Sequence, residues 1–279
     1  MSTSSNDTSL RDFAGTLVLV GAGKMGGAML EGWLALGLDP RRAVLLEPKP
    51  APEIADLQAR GVRLNPAEPV TDAAVVILAV KPQVAPDVVP PLKRVVGPST
   101  VVVSIMAGKT IGFLESALSR DAAIVRCMPN TPAAIGRGIT VAVPNPKVTA
   151  AQRDLTDRLL RATGAVEWVE DEALIDAVTA VSGSGPAYIF LLAESLARAG
   201  EAAGLPPALA AKLARETVSG AGELLHRSPL PPSTLRENVT SPNGTTAAAL
   251  GVLMAKDGMD PLLEKAVAAA AKRSRELAG

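Results

Sequence analysis

The chain has 279 residues, room for one large or two ordinary domains, and its 48% apolar and 20% charged residues place it with globular rather than disordered proteins. The 28 Lys and Arg are balanced by 28 Asp and Glu, so no global positive field draws it to nucleic acid or anionic lipid; three Phe, two Trp and one Tyr are too few for a base-stacking platform. The single cysteine, Cys127, permits neither an internal disulfide nor, by itself, a structural zinc site, so no metal is expected and a reducing cytoplasm fits.

Residues 1–14 open with Ser, Thr, Asp and Asn and lack the basic-then-apolar pattern of a secretion signal, which reads as a frayed tail. From residue 15 to 169 short apolar runs alternate with segments of helical period, the pattern of a parallel sheet with crossover helices. The predicted strands are Leu17–Val20, Ala43–Leu46, Ala74–Val80, Thr100–Ile105, Ala122–Arg126, Ile139–Val143 and Ala165–Val169. Most are continuous Val/Ile/Leu runs, as in strands buried on both faces. Met25–Leu36, ending at Gly37, is an amphipathic helix that completes a βαβ unit with the first two strands. The longest uninterrupted apolar run, Ala73–Val80, is far below the roughly 20 residues of a membrane span, so neither a transmembrane helix nor a membrane partner is expected.

From residue 170 to 279 the pattern is helical throughout: Glu172–Val181, Ala187–Ala203, Ala208–His226, Thr246–Lys256 and Pro261–Leu277. Gly204 closes one helix, Pro206 and Pro207 open the next, and Asp260 before Pro261 reads as an N-cap. Five Ala-rich helices make a thin core on their own, which predicts an obligate homodimer through this half. The fold class is α/β, an N-terminal Rossmann-type doubly wound sheet followed by an all-α dimerisation domain.

Gly21-Ala22-Gly23-Lys24-Met25-Gly26 is a complete G-x-G-x-x-G between a strand and a helix. Gly21 permits the tight turn, Gly23 lets backbone approach a pyrophosphate, and Gly26 lets the helix sit close to the strand. Glu47, some 20 residues on at the end of the second strand, stands where an acid takes the adenosine ribose 2′-hydroxyl. The acid alone favours NAD, whereas Lys49 offers charge to a 2′-phosphate. Ala79-Val80-Lys81-Pro82 and Ile105-Met106-Ala107-Gly108 end later strands on the same sheet edge, where open α/β sheets bind ligands. A rigid turn, Arg126-Cys127-Met128-Pro129-Asn130-Thr131-Pro132, is built to present Asn130; Cys127 reads as a small core residue.

Two small-residue clusters interrupt the helical half. Ser182-Gly183-Ser184-Gly185-Pro186-Ala187-Tyr188 offers bare backbone to a flat ring, and Asn238-Val239-Thr240-Ser241-Pro242-Asn243-Gly244-Thr245-Thr246 sets amides and hydroxyls at a helix N-terminus, a ready carboxylate site. The only histidine, His226, ends a helix, where it acts as a C-terminal cation. Without a second His or Cys, His-based hydroxy-acid oxidation and thiol acylation are disfavoured. Hydride delivery to an imine fits, because a protonated C=N is already electrophilic.

In order and approximate spacing, Gly21–Gly26, Ala79–Pro82, Arg126–Pro132, Ser182–Tyr188 and Asn238–Thr246 resemble the pyrroline-5-carboxylate reductases, over roughly residues 16–275. The resemblance implies reduction of 1-pyrroline-5-carboxylate to L-proline by NADPH or NADH in an interleaved homodimer, which some members assemble further into a decamer. By position it implies that Gly21, Gly23, Lys24, Met25, Val80, Lys81, Pro82, Met106 and Ala107 line the coenzyme cleft, with Gly26, Glu47 and Ala79 beside them. Asn130, Ser184 and Gly185 then lie near the nicotinamide; Ser241, Gly244, Thr245 and Thr246 hold the substrate carboxylate, and Thr246 is a proton donor beside the ring nitrogen. Two departures stand out. Asn243 replaces a usual glycine, and Glu47-Pro48-Lys49 replaces the Ser/Arg-type loop that many members use for a 2′-phosphate. Two alternatives are a β-hydroxyacid-dehydrogenase-like oxidoreductase, whose catalytic lysine is missing from Glu172–Val181, and a non-catalytic dinucleotide-binding dimer.

Overall fold

The computed structural model describes residues 9–68, 70–71 and 73–278. It forms two compact units, one running through Gly183 and taking the chain back from Ala271, the other Ser184–Ala270. The division therefore falls after the first helix of the helical half, not at residue 170, and the end of the chain belongs to the first unit.

The first unit is built on an eight-stranded sheet: β1 (Thr16–Val20), β2 (Ala43–Leu46), β3 (Arg63–Leu64), β4 (Ala73–Leu78), β5 (Val101–Ser104), β6 (Ala123–Met128), β7 (Gly138–Pro144) and β8 (Gly164–Trp168). Their order is β3-β2-β1-β4-β5-β6-β7-β8, which reverses direction between β1 and β4. Helices α1 (Lys24–Ala35), α2 (Glu53–Ala59), α3 (Ala85–Val88), α4 (Ile111–Ala117) and α5 (Ala150–Arg161) connect the strands. Alternate residues of β1 feed different layers: Leu17 and Leu19 pack with Met29, Trp33 and Leu159, while Val18 and Val20 pack with Val89, Leu92 and Leu114. Such two-sided burial requires the unbroken apolar runs that identify these strands.

Three features of this unit differ from expectation. All strand pairs are parallel except β6 with β7, which is antiparallel. The connection there is a short turn at Thr131–Ile135, too brief for a crossover of a dozen or more residues. Strand β3, with two residues, is too short to show a period. The expected tail covers residues 1–14, of which 1–8 lie outside the described residues. Its remainder is not frayed: Leu10 and Phe13 are buried in the α1 layer, and Arg158 pairs with Asp12 and donates to the Ser9 carbonyl.

The helical half begins with α6 (Leu174–Val178), which runs into a π-helical turn at Thr179–Gly183. There follow α7 (Gly185–Ala202), α8 (Pro207–Arg227), α9 (Pro232–Asn238), α10 (Thr245–Leu253) and α11 (Met259–Ala278). The Ser182–Pro186 cluster is therefore not a loop. Ser184 keeps right-handed helical angles, and Gly185 and Pro186 are already the first residues of α7. Helix α9, only seven residues in a Pro-rich stretch, had no legible period, and α11 begins at Met259, so Asp260 lies in its first turn rather than capping it. Gly204 is left-handed at φ +98°, as a helix-closing glycine requires.

Within Leu174–Ala202, 29 residues, one 18-residue window has a mean hydropathy of 1.3, enough by length and composition alone to cross a bilayer. An unbroken-run criterion misses it because Gly, Ser and Thr punctuate the run without lowering its average much.

Candidate active site

The reversal of strand order brings the β1 and β4 carboxyl ends together. The Gly21 amide donates to the Leu46 carbonyl at 2.9 Å and the Ala79 amide to Val20 at 2.8 Å, fixing the loops after β1 and β4 side by side. Gly21 is left-handed, φ +91°, and a Cβ there would stand 2.9 Å from the Ala79 carbonyl oxygen and Val80 Cγ1. A Cβ on Gly26 would stand 2.4 Å from the Gly21 carbonyl oxygen, so the α1–β1 approach excludes any side chain. A Cβ on Gly23 would meet nothing within 4 Å. Gly23 is the N-cap of α1 and makes no side-chain capping bond, which leaves first-turn amides for an anion. This cradle fits the pyrophosphate of a dinucleotide.

The cradle opens into a cleft of about 910 Å³ lined by Gly21, Gly23, Glu47, Ala79, Val80 and Lys81, among others. Also on its walls are Asn65, Val84, Val88, Pro91 and Arg94, which the sequence had not marked. The Asn65-Pro66 dipeptide is a turn signal that could have found the first of these. Lys24, Met25, Pro82, Met106, Ala107 and Asn130 are not among its lining residues. Met106 is a core residue, 2% exposed and packed in the β4–β5 layer. The Asn130 side-chain oxygen accepts the Ile139 amide at 3.0 Å, so it ties the β6–β7 turn.

Glu47 sits at the end of β2 with both carboxylate oxygens engaged. Oε2 accepts the Ala22 amide inside the glycine loop, and Oε1 accepts the Lys49 amide, each at 3.0 Å. Asn65, held at φ +42°, brackets the same residue: its side-chain oxygen accepts the Glu47 amide at 3.0 Å, and its side-chain nitrogen donates to the Glu47 carbonyl at 2.8 Å.

In the second unit a tight turn closes at Ser241–Gly244, where the Gly244 amide donates to the Ser241 carbonyl at 3.1 Å. Asn243 takes the left-handed conformation, φ +57°, which Asn adopts more readily than most residues. Gly244 is the N-cap of α10 and, like Gly23, makes no side-chain capping bond; a Cβ there would lie 2.3 Å from Ser241 Oγ. The turn therefore delivers Gly244, Thr245 and Thr246 to an uncapped helix start of nine residues, the arrangement that takes a carboxylate. Of the hydroxyls in this cluster, that of Thr240 is already committed, to the Arg236 carbonyl at 2.6 Å.

Elsewhere in the first unit, the Arg126 side chain, 5% exposed, pairs with Glu172 at 2.7 Å, and Glu172 also accepts the Ile111 amide at 2.8 Å. A single arginine inside an apolar strand was the available signal for this pair. Cys127 is fully enclosed, and burial pushes its thiol pKa upward, away from the nucleophilic thiolate. Next to it, Met128 packs so closely on the π turn that a Cβ on Gly183 would lie 2.4 Å from Met128 Cε. Among the described residues no group of three or more His, Cys, Asp or Glu side chains is placed to hold a metal.

Comparison with known proteins agrees with this geometry. Residues 172–277 match the family described as pyrroline-5-carboxylate reductase dimerisation, and residues 16–108 match NADP oxidoreductase, coenzyme F420-dependent. A pyrroline-5-carboxylate reductase of Pseudomonas aeruginosa is 42% identical over 94% of this chain and 96% of its own, and one of Pisum sativum is 39% identical over 94% and 96%. The structure of a pyrroline-5-carboxylate reductase from Coxiella burnetii superposes with a TM-score of 0.87 at 34% identity, covering 95% of this chain and 99% of that one. That of Plasmodium falciparum pyrroline carboxylate reductase, with NADP bound, has a TM-score of 0.79 at 28% identity over 95% and 98%. With its glycine cradle, its uncapped α10 turn and this full-length similarity, the chain belongs to the pyrroline-5-carboxylate reductase family.

Proposed function

We propose that the chain reduces 1-pyrroline-5-carboxylate to L-proline with NADPH or NADH, working in the cytoplasm as a homodimer. The observation that carries this is the pairing, in one chain of this family, of a dinucleotide cradle built on Gly21, Gly23 and Gly26 with an uncapped carboxylate site at Gly244–Thr246. The reduced nicotinamide, when bound, supplies a hydride. The chain's own contribution is positional. Amides at the start of α1 hold the pyrophosphate, and the walls at Ala79, Val80 and Lys81 flank the dinucleotide. In the other unit, Ser241, Gly244 and Thr245 hold the substrate carboxylate, and the Thr246 hydroxyl supports the proton on the ring nitrogen. Ser184 and Gly185, at the start of α7, offer backbone to the ring. Because a protonated imine already attracts hydride, orientation and exclusion of water carry most of the catalysis.

The dimer is supported by the second unit's apolar faces. Its buried hydrophobic residues are Ala210 and Ala214 among the described residues, while Phe190 is 63% and Leu191 56% exposed. The lone, enclosed Cys127 suits a reducing compartment.

Purified protein given either reduced coenzyme and the pyrroline is expected to form proline. Thr246→Ala should lower kcat by about 100-fold, the lower end of general acid–base contributions, while coenzyme affinity changes less than about twofold. An unchanged rate would remove Thr246 from the reaction. Coenzyme binding without any proline formation would favour the non-catalytic dinucleotide-binding dimer.

A further inference from the structure

We infer that Glu47, clamped by Asn65, sets this chain's coenzyme preference towards NADH, with Asn65 as its positioning residue. The inference rests on the coenzyme-dependent reduction proposed above and adds which dinucleotide the cleft selects and how.

A carboxylate at the end of the second strand discriminates only if it stays there. Glu47 is held at four points: its backbone amide and carbonyl by the two ends of the Asn65 side-chain amide, and its carboxylate oxygens by the amides of Ala22 and Lys49. Both carboxylate partners are neutral amides, so the negative charge is oriented but not cancelled. The side chain is joined directly to the glycine loop, and Glu47 and Asn65 line the same cleft. That places a fixed carboxylate at the strand end where folds of this kind seat the adenosine ribose. There it accepts from a ribose diol and repels a 2′-phosphate.

Three cations on the cleft, Lys49, Lys81 and Arg94, act in the opposite sense. Each is exposed, so its charge is screened by solvent and salt, and its long side chain must be immobilised before it helps. Glu47 has been ordered already by folding. The fixed charge outweighs the mobile ones.

Asn65 is suited to this function by its backbone. Its left-handed conformation, φ +42°, aims one short amide at both polar groups of Glu47. Glycine keeps that conformation without strain and removes only the two hydrogen bonds.

The test uses the full-length protein. Dissociation constants for NADH and NADPH are measured by calorimetry without pyrroline, proline formation is followed with each coenzyme, and thermal midpoints are recorded for every variant. The wild type is expected to bind NADH about tenfold or more tighter than NADPH, the scale of one partly screened repulsive charge contact. Asn65→Gly should reduce that ratio by about fivefold while the protein remains folded, since the Glu47 backbone loses two of its anchors and its carboxylate, left on the Ala22 and Lys49 amides alone, is fixed less firmly against an incoming phosphate. Glu47→Gln, which keeps the size and removes the charge, should reduce it by at least as much, chiefly by tightening NADPH. Tighter binding of NADPH by the wild type would overturn the inference, as would a ratio unmoved in both variants. If the wild type shows the NADH preference but forms no proline, coenzyme selection stands and the proposed reaction falls. If neither coenzyme binds, both fall.

Discussion

Two glycines of the same motif separate fold from function. Gly26 exists for packing: a Cβ there would press on the Gly21 carbonyl oxygen at 2.4 Å, whereas one on Gly23, whose φ of −64° any residue adopts, enters open space. Gly26→Ala is therefore expected to cost about 1–3 kcal/mol through overpacking and to weaken coenzyme binding with it. Gly23→Ala should leave the thermal midpoint within about 2 °C, the shift of about 1 kcal/mol in a chain this size, yet still weaken binding by filling the cradle. Parallel thermal melts and coenzyme titrations of the two variants check this; equal loss of stability in both would refute the distinction. The motif spacing in the sequence announced both glycines. Glu47 was equally legible as an acid at the end of the second strand, but its partner Asn65 was not, because 18 residues separate the two and only the β2–β3 pairing brings them together.

Among the elements, the strands declared themselves because burial on both faces demands continuous apolar runs, and β1, β2 and β4 depart from expectation by two residues at most at either end. The N-terminal segment did not, since two apolar residues among polar ones have no period to read. Leu10 is 1% exposed against the α1 layer, so Leu10→Ala should destabilise the first unit by about 2–5 kcal/mol, measurable by denaturant unfolding; a change within error would mean the segment only rests on the surface. Nearby, the hydrogen-bonded Arg158 guanidinium holds the Asp12 carboxyl below its ordinary value of 3.8. A lowered carboxylate pKa means that this anchor is intact above that value and is lost as pH falls through the depressed one. The π turn at Thr179–Gly183 was likewise hidden: Ser and Gly favour a loop by propensity, and the close packing of Met128 on Gly183 is not readable from local sequence.

For the whole molecule, the exposed faces of α7 and α8 are the surface that the proposed homodimer would bury. Leu196 and Leu213 are 43% and 47% exposed and line an apolar groove with Gly200 and Ala210. Leu213→Glu is expected to place a charge in a contact that excludes water and to shift the protein towards monomers, with loss of proline formation; analytical ultracentrifugation across protein concentration reads the change. An unaltered sedimentation coefficient would show that this groove lies outside the interface. By itself the sequence determined the alternation of strands and helices, the glycine cradle and the helical character of the second half, because each is written in local period and residue type. Tertiary structure alone decided the reversed β6–β7 pairing, the return of the chain's end to the first unit and the bracketing of Glu47, because these depend on which distant backbone groups meet, and pairing across a sheet leaves no trace in nearest-neighbour pattern.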